Sequence, residues 1–188
     1  IADLVGDLNA LALRNGEVFE NMRFNARKSA NDTTHRFSPQ PQSVEPVRIA
    51  FITTTDGTAS ASELVINGMK PWVEVAIVGS DTYGKPVGQS AFDLAGCDLR
   101  LRLVTFKVTN ADEEGDYFDG LAPTLPFACE ASDDLTRDMW DSAESSTAEA
   151  LRWLGTGVCS QVMPAATLPF LKAQAAFRLP RSRAPTPA

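Results

Sequence analysis

Residues 47–79 read VRIAFITTTDGTASASELVINGMKPWVEVAIVG, and their periodicity decides the fold. Residues 47–53 form a β-branched, apolar run, the pattern of a strand covered on both faces. Ser60-Ala61-Ser62-Glu63 then spells a capping box, in which the N3 carboxylate reaches back to the amide that opens a helix. Small or apolar residues recur at Ala61, Leu64, Val65, Gly68 and Met69, the stripe of a helix facing a core. Asn67-Gly68 and Pro71 close it, and residues 72–78 return to the pattern of a buried strand. Strand, helix and strand within about 30 residues make a βαβ unit with a right-handed crossover. The expected fold class is therefore α/β, with a mostly parallel central sheet and flanking helices.

Upstream, residues 1–13 carry a helical stripe (Ile1, Leu4, Val5, Leu8, Leu11) that Asn15-Gly16 stops. Residues 18–25 suit a short strand, and the polar residues 26–46, with Pro39 and Pro41, suit a loop excursion. Downstream, residues 98–109 read as a strand whose alternation slips from Leu99, Leu101 and Leu103 to Val104, Phe106 and Val108, the mark of a bulge. Residues 110–120 are acidic and turn-like. Residues 145–154 suit a short helix stopped by Gly155, and the Pro- and Arg-rich tail from Leu179 has no periodicity. There is no internal repeat.

At 188 residues the chain holds one ordinary core. A net charge of −7 argues against a nucleic-acid binder, which normally shows a basic surface. No apolar run reaches the roughly 20 residues that span a bilayer. Three cysteines and one histidine make no zinc pattern. Cys129 and Cys159 flank the last helix and suit a disulfide in an oxidising compartment. Cys97 reads as buried at a strand edge. The chain opens at Ile1 rather than Met, as after removal of a leader or upstream chain.

Two segments carry chemistry. Ser60 stands at a helix start between Ala59 and Ala61, which leave its hydroxyl unshielded beside helix amides able to stabilise an oxyanion. Its plain alternative is an N-cap. Lys85 sits in Thr82-Tyr83-Gly84-Lys85-Pro86-Val87-Gly88-Gln89, a constrained loop just past a strand; its plain alternative is a solvated loop lysine. At the rim of a core a lysine is desolvated, which favours the neutral amine that can take a serine proton. If the two strands are neighbours, the serine and the lysine can meet. His35, in a polar loop without a Gly-x-Ser-x-Gly elbow anywhere, makes a poor triad base. Asp112, Glu113, Glu114, Asp116 and Asp119 lack EF-hand spacing and suit a solvated loop.

These segments, taken together, resemble the C-terminal processing, or tail-specific, serine proteases. That family carries its nucleophile in a Ser-Ala-Ser-Glu context and its lysine base 25 residues later, the separation of Ser60 and Lys85; Ser62 stands at 23. The resemblance implies Ser60 as nucleophile, Lys85 as general base, Gln89 as the residue that orients the lysine, and the Ala61 N–H as one oxyanion donor. It implies peptide-bond hydrolysis with neither metal nor organic cofactor, an extracytoplasmic address in the bacterial periplasm or envelope, and tethering to a membrane through upstream chain. The likeness covers residues 47–89. Pro86 replaces a common second glycine. The family's upstream Asp-Leu-Arg strand, whose Asn-Gly-Gly turn supplies the second oxyanion donor, has no match in residues 1–47, and no PDZ module is present. The chain is thus expected to be the C-terminal part of a larger protease that includes an upstream portion. Residues 1–110 belong to the catalytic core on this reading, and residues 111–188 form an extension. A non-catalytic fragment that serves as a binding module is the alternative.

Overall fold

The structure, a computed structural model, describes residues 11–138 and 140–164. Among these residues, seven strands and two α-helices run in the order β1 (Val18–Phe24), β2 (Thr33–Arg36), β3 (Arg48–Thr53), α1 (Ala61–Met69), β4 (Glu74–Gly79), β5 (Val87–Asp93), β6 (Arg100–Thr109), β7 (Phe127–Glu130) and α2 (Ser145–Thr156). The β3–α1–β4 unit is the one that residues 47–79 predict: β3 and β4 pair in parallel from Arg48 opposite Glu74 to Thr53 opposite Gly79.

The mostly parallel single sheet is not what forms. Three strands make a parallel sheet ordered β3-β4-β7, and four make an antiparallel sheet ordered β2-β1-β6-β5. The reason is connection length. A short turn joins β5 to β6 and forces a hairpin, whereas α1 gives β3 and β4 the crossover that parallel pairing requires. β5 and β7 have no clear signal of their own in the sequence, and β2 with the 3-10 turn Ala26–Asn31 lies inside the polar stretch read as loop.

Period-2 alternation along β4 feeds two cores. Val75 and Ile77 pack with Ile66 and Met69 of α1, with Phe19 of β1, and with Phe37, Tyr117 and Leu121. Ala76 and Val78 face the other way, toward Cys129, Ala150 and Trp153. The helix α1 therefore lies between the two sheets, and α2 closes the far face of the parallel one. β3 is not covered on both faces as its composition suggests. Among the described residues it is an edge strand, and Ile52 is 46% exposed.

Three further expectations change. Gly157, in the left-handed region at φ 74°, ends α2 rather than Gly155. Cys97 is exposed in the β5–β6 turn rather than buried, because both strands there project from the body. His35 lies on β2 beside the buried Glu20, its Nδ1 2.7 Å from Oε1. The bulge does form: Gly88 faces Phe106 while Gln89 faces Val104, so Thr105 is the extra residue. A disulfide joins Cys129 to Cys159 and ties β7 to the chain beyond α2. Of the helix read in residues 1–13, residues 1–10 lie outside the described residues, as does the tail from Leu179.

Candidate active site

The turn between β3 and α1 is built by its threonines. The Thr58 amide donates to the Thr54 carbonyl at 2.8 Å, and the Thr58 hydroxyl accepts from the Thr54 amide at 3.0 Å. The chain then enters α1 through Ser60 at φ 51°, ψ −99°. An ordinary N-cap is extended. A non-glycine residue at positive φ is strained, and such strain gathers where surrounding contacts hold a functional side chain in a set direction. Ser60 thus departs from the backbone geometry of an ordinary helix cap.

Glu63 is the residue that holds it. Its side chain is fully buried, at 0% exposure. One carboxylate oxygen, Oε2, accepts the Ser60 amide at 2.8 Å and the Lys85 amide at 2.9 Å; the other, Oε1, accepts the Gly84 amide at 2.6 Å. A buried carboxylate is tolerable only when hydrogen-bonded, and charge-assisted bonds of this kind are the strong ones. The serine turn and the lysine loop are therefore joined through a single oxygen atom. The Tyr83 amide adds a second tie by donating to the Thr58 carbonyl at 2.9 Å.

The lysine loop is fixed from its other side as well. Gly84 sits at φ 86°, where a Cβ would strike the Phe118 carbonyl. The Asp81 carboxylate accepts from the amides of Thr82 at 2.7 Å and Ala122 at 2.8 Å. The Leu121 amide donates to the Thr82 hydroxyl at 3.0 Å. Pro86 is fully buried, and its carbonyl accepts the Val108 amide at 2.9 Å. Lys85 itself is half-buried, and among the described residues no carboxylate pairs with its amine. Burial, and then the negative charges of Glu63 and Glu20, push the Tyr117 phenol well above its usual range, so a neutral hydroxyl packs beneath the site.

The structure thus brings the backbones of Ser60 and Lys85 together. Ala61 opens α1 and is exposed; its N–H belongs to the first turn, where amides have no intrahelical partner. Gln89 stands on β5 opposite Val104, exposed, just past the bulge and four residues beyond the lysine. Glu63 was legible as a capping residue, but nothing in the sequence signals its bonds to Gly84 and Lys85. The same holds for Asp81 and Thr82.

Three carboxylates of the acidic loop are paired with cations nearby. Glu113 meets Arg23, Glu114 meets Lys70 and Asp116 meets Lys107. Among the described residues, the one group placed like metal ligands is Cys129, Glu149 and Cys159, and its two sulfurs are bonded to each other.

A family profile for peptidase family S41 matches residues 6–127. No curated protein matches the chain significantly. Among solved structures, one from Bacteroides fragilis assigned to the S41 proteases superposes with a TM-score of 0.70 at 23% identity, over 84% of this chain and 41% of that one. The chain thus spans well under half the length of that structure, and the likeness at this identity is one of fold. A photosystem II D1 C-terminal processing protease aligns with a TM-score of 0.46 at 18% identity, over 63% of this chain and 29% of its own. A lipoprotein from Streptococcus agalactiae aligns at 0.49 and 16%, over 78% and 47%. The fold and the match over 6–127 together identify the chain as a member of peptidase family S41.

Proposed function

We propose that the chain carries the catalytic dyad of a serine endopeptidase, with Ser60 as nucleophile, Lys85 as general base and Gln89 as the residue that orients the lysine. The observation that carries this reading is the Glu63 carboxylate shared between the Ser60 and Lys85 amides, with Ser60 held at positive φ. In the reaction, Lys85 Nζ takes the hydroxyl proton as Ser60 Oγ bonds to the scissile carbonyl carbon. The Ala61 N–H donates to the oxyanion. Collapse of the tetrahedral intermediate breaks the C–N bond, and the lysine gives its proton to the leaving amine. Water, deprotonated by the same amine, then hydrolyses the ester and restores Ser60. The substrate is an unstructured protein or peptide segment, and the second oxyanion donor comes from an upstream portion of the protease.

The Cys129–Cys159 bridge supports an oxidising, extracytoplasmic address, in the periplasm or at the envelope through an upstream membrane tether. No helix among the described residues is long and apolar enough to cross a membrane. A fluorophosphonate probe tests the reading. Wild type is expected to label at Ser60, with labelling lost in Ser60→Ala, reduced at least about 100-fold in Lys85→Ala, and retained in Ser62→Ala. Labelling that survives Ser60→Ala would place the nucleophile elsewhere. A properly folded wild type that never labels would favour the non-catalytic binding module.

A further inference from the structure

Beyond Phe106, which faces Phe24 of β1, the strand β6 pairs among the described residues only with β5, so residues 89–104 project as a two-stranded ribbon. Its register gathers most of the apolar side chains on one face. Phe92 faces Leu101, Ser90 faces Leu103, and the Leu94 amide bonds the Leu99 carbonyl at 3.0 Å. Opposed residues share a face, so Phe92, Leu94, Leu99, Leu101 and Leu103 lie on one side. The other side carries Gln89, Ala91, Asp93, Arg100, Arg102 and one apolar residue, Val104, with Arg100 bonded through two nitrogens to Asp93. The apolar five are 47%, 47%, 63%, 45% and 46% exposed in that order. An amphipathic ribbon of two strands is at best marginal in water alone, and its apolar face calls for cover.

We propose that a second copy of this chain covers it, with the two ribbons packed face to face about a two-fold axis. Three observations favour that occupant. The patch holds residues of one chemistry along both strands of the ladder, so a second copy presents it with the same apolar surface, as an isologous contact requires. Charge permits the approach: residues 89–104 hold two aspartates and two arginines and are neutral, in a chain of net charge −7. Elsewhere the acidic surfaces of two copies repel, whereas here they do not. The area is sufficient for a weak dimer. Half-exposed, five such side chains offer roughly 500 Å² per copy, about 1,000 Å² in all, at the lower bound for specific association. The facing ladders would stack about 10 Å apart.

Sedimentation of the 188-residue chain tests this. The mass should rise from the 20.3 kDa of one chain toward twice that with concentration, with half-association at roughly 10–100 μM. Leu101→Lys with Leu103→Lys should weaken association at least about tenfold at unchanged circular dichroism, since both positions are half-exposed in the single chain. Arg102→Glu, on the opposite face, should leave it intact. Cys97 at the ribbon tip is the one unbonded cysteine, so a nitroxide there reports the contact directly: an intermolecular dipolar coupling is expected in wild type and absent in the double lysine variant. A single-chain mass at every concentration to about 1 mM overturns the proposal. So does association that survives both lysines, which would place the contact at the open β3 edge instead.

Discussion

At the scale of single residues, Glu63 decides whether two separate loops form one site. It accepts three backbone amides in a place that water does not reach, so its removal orphans all three at once. Leaving buried donors unsatisfied costs about 1–3 kcal/mol each, with partial relaxation among neighbours. Glu63→Ala is therefore expected to lower stability by about 2–4 kcal/mol in urea titration. Glu63→Gln is the sharper variant. It keeps the shape, but its NH2 group must face an amide donor. It is expected to retain the fold, lower kcat at least about tenfold and leave KM little changed, because the amides it mispairs position Ser60 and Lys85 rather than the substrate. A change confined to KM would show that Glu63 shapes binding and not the dyad.

At the scale of elements, α2 depends on its entry. Glu144 precedes its first turn and accepts the amides of Ser146 at 2.9 Å and Thr147 at 2.7 Å, with Asp134 further off at 3.3 Å. Burial pushes its carboxyl upward, but the backbone donors outweigh it and hold the group at about 2, against an ordinary 4.5. A carboxyl depressed on folding stabilises the native state above its unfolded value, and that contribution is lost as pH falls from about 4.5 to about 2. The urea midpoints of wild type and Glu144→Gln should thus differ most at pH 6 and converge toward pH 2. A gap that stays constant with pH would mean that the charge of Glu144 contributes nothing to the entry of α2. The disulfide beyond α2 supports the same region: a loop of 30 residues is worth roughly 3–4 kcal/mol in chain entropy.

At the scale of the molecule, the parallel sheet has an open side. β3 lies at its edge among the described residues, and a row of unpaired amides and carbonyls there invites another strand. The chain spans 41% of the length of the Bacteroides fragilis structure, and on the proposed reading the second oxyanion donor comes from an upstream portion of the protease. Loss of one such donor costs about 10²–10³ in rate. The 188-residue chain is accordingly expected to cleave an unstructured peptide about 100-fold or more slowly than a longer chain that carries the upstream strand. Equal rates would show that the site is already complete in these residues.

What the sequence determined by itself was local. The β3–α1–β4 unit, its start at Ser60, the bulge in β6 and the Cys129–Cys159 pairing were all legible, because periodicity, capping chemistry and cysteine spacing act over a few residues or one loop. The spacing of Ser60, Lys85 and Gln89 was legible in the same way, as pattern. Only the tertiary structure decided how the strands divide between two sheets, that β3 is an edge, and that Cys97 lies exposed on a projecting ribbon. Those outcomes depend on which strands find neighbours, a long-range matter that composition does not encode. The bond from Glu63 to Lys85 is of the same kind: the two residues stand 22 apart in sequence, and their meeting follows from the parallel pairing of β3 with β4, which sets both loops at one end of the sheet.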